Sequence, residues 1–298
     1  MKSRLLTALP LAALFSTGIV FLATGEDTVL AAPAPAPASA GVVETVQPLK
    51  ALLVLGGCCH DYGKQKDILK AGLEERANLV VDICYSSDTS TKATFTCYDK
   101  ANWAEGYDVV IHDECSADIK DLTVVNRILE PHRNGVPGVN LHCAMHSYRT
   151  AADVGKTVTS GTDASLWFDY IGLQSSGHGP QKPIEITYQK GTIADGLENW
   201  TTVNEELYNN IKIHDGTQAI AKGKQGNSET VVAWSHEYGP KKTRVFSTTI
   251  GHNNETVADD KYLDLVTRGL LWSTGHLTAE GKPAPGYEAK AAAPAPAK

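Results

Sequence analysis

Lys50-Ala51-Leu52-Leu53-Val54-Leu55-Gly56-Gly57 is the stretch that decides the fold. A short apolar run closed by a glycine pair reads as a buried strand ending in a tight turn. Ile68, Leu69, Leu73 and Ala77 follow at helical spacing. Leu79-Val80-Val81-Asp82-Ile83-Cys84 is a second strand, and Tyr107-Asp108-Val109-Val110-Ile111-His112 a third. Between them, Ser86 to Trp103 is rich in Ser and Thr and reads as a long loop. Leu122, Val125, Ile128 and Leu129 mark a helix that stops near Asn134-Gly135. Val136-Pro137-Gly138-Val139-Asn140-Leu141 is a fourth strand. Strands alternating with helices in this order predict a parallel, doubly wound sheet.

The second half has a different rhythm. Ile184-Glu185-Ile186-Thr187-Tyr188 alternates like a half-exposed strand. Thr230-Val231-Val232-Ala233-Trp234 and Arg244-Val245-Phe246-Ser247-Thr248 are two more strands, joined by a turn at Tyr238-Gly239-Pro240-Lys241. A last helix carries Leu263, Val266, Leu270 and Leu271 on its apolar face and ends at Gly275. The expected fold class is therefore α/β, flavodoxin-like and doubly wound, with a mainly parallel sheet and an antiparallel extension.

The ends of the chain differ in composition. Lys2 and Arg4 precede a mostly apolar stretch from Leu5 to Ala23. Residues 1–31 read as a secretory signal peptide, with a retained membrane anchor as the competing reading. Residues 32–47 form an Ala/Pro linker, 48–277 the folded domain, and 278–298 an Ala/Pro tail. The chain is expected to be exported, periplasmic or secreted, touching membrane only through an uncleaved N-terminal segment. Net charge is −7 and no basic patch interleaves with aromatics, so nucleic acid is not an expected partner.

Three histidines follow strand-like runs: His60, His142 and His252. In an open parallel sheet, ligands bind at the carboxyl ends of strands. The crossover rule brings His60, His142 and either His112 or Asp113 to one edge. Imidazoles there suit acid/base work. The same three histidines would also serve as Zn²⁺ ligands with water in the fourth position. No HxxxH or HxH spacing singles them out.

Val139 to Arg149 has the shape of a nucleophile elbow, a strand turning sharply into a helix. His142 and Cys143 are its candidates, with His146 one turn on. A Cys-His pair would signal acyl transfer; a small buried thiol behind the strand is the structural alternative. Ala144 and Met145 stand where an elbow carries glycine. The six cysteines are Cys58, Cys59, Cys84, Cys97, Cys115 and Cys143. An even count suits an oxidising compartment, and Cys84 with Cys97 could close a short loop. The remaining connectivity stays open.

The ordered set resembles the ThuA-like, or trehalose-utilisation, family of the class I glutamine amidotransferase-like superfamily. His60 and Tyr62 after the first strand, Gly138 to His142, and Glu205-Glu206-Leu207-Tyr208 carry the match. So do the run from Val232 to His252 and the closing Arg268-Gly269-Leu270-Leu271-Trp272. His178, in Gly177-His178-Gly179-Pro180, resembles a further family histidine. The resemblance implies a sugar pocket, with His60, His142, His252 and Glu206 catalytic and Tyr62, His178 and Tyr208 binding the substrate. It implies carbohydrate metabolism and (keto-)glycosides as small-molecule substrates. Glutamine amidotransfer is not expected, because His236-Glu237 is adjacent rather than spaced as the His-x-Glu partner of an amidotransferase would be. The alternatives are a carbohydrate-binding or scaffold protein without catalysis, and a Cys143-dependent hydrolase.

Overall fold

The computed structural model describes residues 46–290. The expected signal or anchor, nearly all of the linker, and residues 291–298 lie outside them. Among the described residues, nine strands, numbered in chain order, form one sheet in the order β2-β1-β3-β4-β9-β8-β7-β5-β6. Strands β1 (Leu49–Gly57), β2 (Leu79–Ser86), β3 (Val109–Cys115), β4 (Gly138–Leu141) and β9 (Thr243–Thr248) run parallel. Strands β8 (Ser228–Tyr238), β7 (Gln218–Gln225), β5 (Leu173–Tyr188) and β6 (Trp200–Ile213) continue the sheet antiparallel. The mixed α/β architecture expected from the sequence is therefore present.

The period of two along β1 sends its apolar side chains to both faces, and both are buried. Leu53 and Leu55 pack with Leu69 and Leu73 of α1 (Tyr62–Arg76) and with Leu263 and Val266 of α5 (Asp260–Thr274). Leu52 and Val54 face the other way, toward Val125, Ile128 and Leu129 of α2 (Leu122–Arg133) and Trp167 of α3 (Leu166–Ile171). Each such fully buried leucine contributes about 1.5–3 kcal/mol by leaving water. Asp121 caps α2 by accepting the backbone N–H groups of Thr123 and Val124. Gly275 ends α5 in the left-handed conformation at φ 81.

Several boundaries depart from the sequence reading. The run at Ile184–Tyr188 is only the end of β5, a strand of 16 residues whose middle is exposed and bulged. β3 extends to Cys115, past the expected end at His112. Residues 278–290, expected in the tail, pack onto the domain through the bridges Ala77–Glu288 and Leu277–Pro283. Asn78 N–H donates to the Tyr287 carbonyl at 2.9 Å. No helix among the described residues is long and apolar enough to cross a membrane.

The loop after β2 is tied by the Cys84–Cys97 disulfide, and it buries Phe95, Tyr98 and Trp103 against β1 and α2. Closing a loop of this size stabilises the fold by about 3 kcal/mol on chain entropy. The double variant Cys84→Ala/Cys97→Ala is therefore expected to lose about that much in urea unfolding. An unmoved midpoint would show that the loop is held by packing alone.

Candidate functional site

Three strand ends build the site. β1 ends at Gly57, and the next turn carries His60. β4 ends at Leu141, and His142 takes the left-handed region at φ 37. That is a strained conformation for a residue with a Cβ. β9 ends at Thr248, and the chain turns through Gly251 at φ 129 before His252. A Cβ at Gly251 would lie 2.8 Å from the Tyr262 hydroxyl and 3.5 Å from His142 Cβ, so only glycine lets this turn press onto His142. The His60 ring centroid lies 4.6 Å from that of His142 and 4.7 Å from that of His252. His142 and His252 are 5.5 Å apart.

β6 supplies the wall. Glu206 and Tyr208 are two apart on one strand and so share a face. Glu206 Oε2 lies 3.6 Å from His142 Nε2, and Oε1 lies 3.4 Å from His252 Nδ1. The Tyr208 hydroxyl is 3.5 Å from His142 Nε2. His178, paired with Tyr208 across β5 and β6, places Nδ1 at 3.6 Å from Glu206 Oε1 and is the most exposed of the set. His146 stacks on Tyr208 at 4.2 Å and 7° and bonds Ser175 Oγ at 3.0 Å. The site opens into a cleft of about 430 Å³ lined by Cys59, His60, Asp61, His252, Asn253 and Asn254. A smaller cleft of about 200 Å³, beside Ala104, Glu105 and Pro131, contains no histidine or nucleophile, and a cleft of about 370 Å³ on another part of the molecule is lined by Ser160, Asp169, His214 and His236.

Glu205 does something different from its neighbour. Pointing to the opposite face, its buried carboxylate accepts the backbone N–H groups of Gly251 (3.2 Å), His252 (2.9 Å) and Asn253 (3.0 Å). It positions the turn that carries His252. Gln65 of α1 adds its side-chain N–H to the His252 carbonyl at 3.2 Å. Neither residue stood out in the sequence. Glu205 was visible only as half of an acidic pair, and Gln65 carried no signal at all.

The electrostatics follow from crowding. Burial, then the neighbouring His142 and His252, push the His60 imidazole down to about 2. Burial also lowers His252, with His142 adding to the effect against the pull of Glu206. Burial works to raise Glu206, but His142, His252 and His178 outweigh it and hold the carboxyl at about 2. His142 Nδ1 lies 2.6 Å from the Thr249 carbonyl, which can only accept, so Nδ1 carries a proton. Its Nε2 therefore faces the Glu206 carboxylate either with a second proton or with a bare lone pair. His60 Nδ1 is buried without a hydrogen-bond partner.

Three residues considered with this edge lie elsewhere. His112 is in mid-strand on the α2 side, bonded to His132 Nε2 at 3.0 Å and to Glu114 at 2.9 Å, and does not join the cluster. Asp113 is buried, and burial followed by Glu114 raises its carboxyl well above the ordinary range. Cys143 is buried behind His142, and a hydrogen bond with Cys115, then burial, pushes its thiol well above the usual value. Tyr62 is buried beneath His60, with ring centroids 5.5 Å apart in edge contact.

Residues 59–273 match the ThuA family model, described as trehalose utilisation. A putative ThuA-like protein from Parabacteroides merdae superposes with a TM-score of 0.59 at 16% identity, covering 82% of this chain and 98% of its own. One from Bacteroides uniformis gives a TM-score of 0.50 at 16% identity, covering 80% and 96%. No curated protein matches the chain.

Proposed function

The chain belongs to the ThuA family, within the glutamine amidotransferase-like superfamily, and from that premise we propose an exported enzyme that cleaves keto-glycosides by histidine acid/base chemistry. The family's description supports a carbohydrate-related role. The carrying observation is the contact of His142 Nε2 with both Glu206 and the Tyr208 hydroxyl, at 3.6 and 3.5 Å. A keto group acidifies the neighbouring C–H bond. Removing that proton drives β-elimination of the glycosidic oxygen, which needs a proton in return. The His142–Glu206 pair has the means to hold and pass that proton. Tyr208 is placed to donate to the developing oxyanion. His60, pushed to about 2, is a poor base near neutrality and serves better as a neutral contact to the sugar. His178, at the mouth, supports binding.

Amidotransferase or Cys143-dependent hydrolysis fits poorly. The strained elbow position belongs to His142, and the Cys143 thiol is buried and protonated. The basic-then-apolar N-terminus and the disulfides support export. Within the α/β sheet, the order β2-β1-β3-β4-β9 supports a doubly wound, flavodoxin-like parallel half. Incubating the purified protein with 3-keto and ordinary disaccharides tests the reading. Turnover of the keto sugars alone is expected; binding across the panel without turnover would make this a carbohydrate-binding protein.

A second reading adds a divalent metal ion. Ligand atoms of His60, His142 and His252 lie within 4.8 Å of one another, and His60 Nδ1 lacks a partner. A bound Zn²⁺ would polarise the keto group. On this reading Zn²⁺ at about a hundred times its Kd stabilises the protein by about 2.7 kcal/mol. That corresponds to a rise of about 5–10 °C in Tm, absent in His142→Gly. An unchanged Tm would leave the proton as the only occupant.

A further inference from the structure

The mechanism leaves four neighbouring sulfurs unused, and they pass from the cleft into the core. Cys58 and Cys59 form a disulfide between adjacent residues. Cys59 is exposed, lines the histidine cleft and sits in the left-handed region at φ 84. Cys58 Sγ lies 3.3 Å from the free, buried Cys115 thiol, and Cys143 lies behind Cys115. The sheet register enforces this contact. Gly57 pairs with Cys115, and a Cβ at Gly57 would fall 2.2 Å from the Cys115 carbonyl oxygen. Glycine there lets β1 close onto β3 and sets Cys58 over Cys115. A disulfide spanning a single peptide unit closes almost no loop, so it contributes little as a staple, unlike Cys84–Cys97.

We propose that Cys58, Cys59 and Cys115 form a thiol–disulfide exchange site, which presents Cys59 as a modifiable thiol at the mouth of the histidine cleft. Cys115 gives its thiol proton to water, and its sulfur attacks Cys58 Sγ. The Cys58–Cys115 bond forms as the Cys58–Cys59 bond breaks. The electron pair leaves on the Cys59 sulfur, which takes up a proton from water. One disulfide replaces another, so no oxidant or reductant is consumed. The left-handed backbone at Cys59 is a cost for a residue with a Cβ, and opening the bond lets it relax. The freed thiol is next to His60 and accessible to small soft electrophiles, such as a low-molecular-weight disulfide, whose S–S bond would break as it caps Cys59 as a mixed disulfide, with its other half leaving as a thiol that takes the Cys59 proton. A cap on Cys59 would stand in the same cleft as His60 and His252, whatever reaction the histidines perform.

Alkylation of the oxidised, unreduced protein with iodoacetamide tests this, followed by acid quenching and non-reducing peptide mapping. The expected product carries carbamidomethyl on Cys59 and a Cys58–Cys115 crosslink. Cys115→Ser should lose the Cys59 label, whereas Cys143→Ser should keep it. An unlabelled Cys59 with Cys58–Cys59 intact would overturn the proposal, as would equal Cys59 labelling in Cys115→Ser. Should Cys115→Ser fail to fold, the time course in the unmodified sequence decides: Cys58–Cys59 is expected to decline with alkylation time as Cys58–Cys115 and the Cys59 label rise together, and a Cys58–Cys115 bond already complete before alkylation would overturn the proposal.

Discussion

His142→Gly is expected to lose turnover on keto-glycosides by about 10²–10⁴-fold while keeping the fold within about 1 kcal/mol of the parent. The loss follows from removing the imidazole that faces Glu206 and Tyr208. The small stability change follows from opposing terms. Glycine adopts the φ of 37 without penalty, which returns on the order of 1–3 kcal/mol of backbone strain. The Thr249 carbonyl loses its donor, and a buried imidazole is deleted, at a cost of about 1–3 kcal/mol. His142→Ala keeps the strain and loses the contacts, so it should be less stable than His142→Gly. That order reverses the usual one, since glycine ordinarily destabilises relative to alanine. Kinetics together with urea unfolding of both variants check it. A glycine variant less stable than the alanine one would show that position 142 is not strained.

Glu205→Ala should cost about 3–5 kcal/mol and lower activity with it. The carboxylate accepts three backbone N–H groups, and truncation leaves those donors unpaired in a buried turn. His252 then loses its placement. Glu206→Gln, one residue along, should leave the unfolding midpoint nearly unchanged and remove turnover, because its carboxylate meets side chains rather than backbone. Urea titration of the two variants beside an activity assay separates the roles. Equal stability losses would mean that both carboxylates are structural.

The parallel half was legible because strands covered on both faces carry apolar runs, as Ala51–Leu55 of β1 and Val109–Ile111 of β3 do, while the edge strand β2 shows itself by its apolar, β-branched content although one of its faces is open. The antiparallel half was legible in part: Ile184–Tyr188 and Thr230–Trp234 lie in β5 and β8, and the hairpin to β9 is present, but β6 and β7 escaped. β6 carries Glu205 and Glu206 in its middle, and β7 reads Gln-Ala-Ile-Ala-Lys-Gly-Lys-Gln, without the apolar alternation of a typical strand. Their pairing with β5 depends on bulges that no local pattern announces. His60, His142 and His252 were readable as strand-end residues, since parallel topology carries them to one edge. His112 was misplaced because β3 runs three residues further, which makes it a mid-strand residue facing α2. The split between Glu205 and Glu206 was hidden for a related reason: adjacent strand residues face opposite ways, and that matters only once the strand is known. The Cys58–Cys59 disulfide could not be derived, since adjacency favours no partner.

Hydrogen exchange at carbon tests the central claim most directly. A 3-keto glycoside incubated with the protein in D₂O should take up deuterium on the carbon between the keto group and the anomeric centre, or lose its aglycone. The unmodified protein should do this, and Glu206→Gln and His142→Gly should not. A keto sugar that binds the cleft yet keeps both its C–H bond and its glycosidic bond would contradict the account.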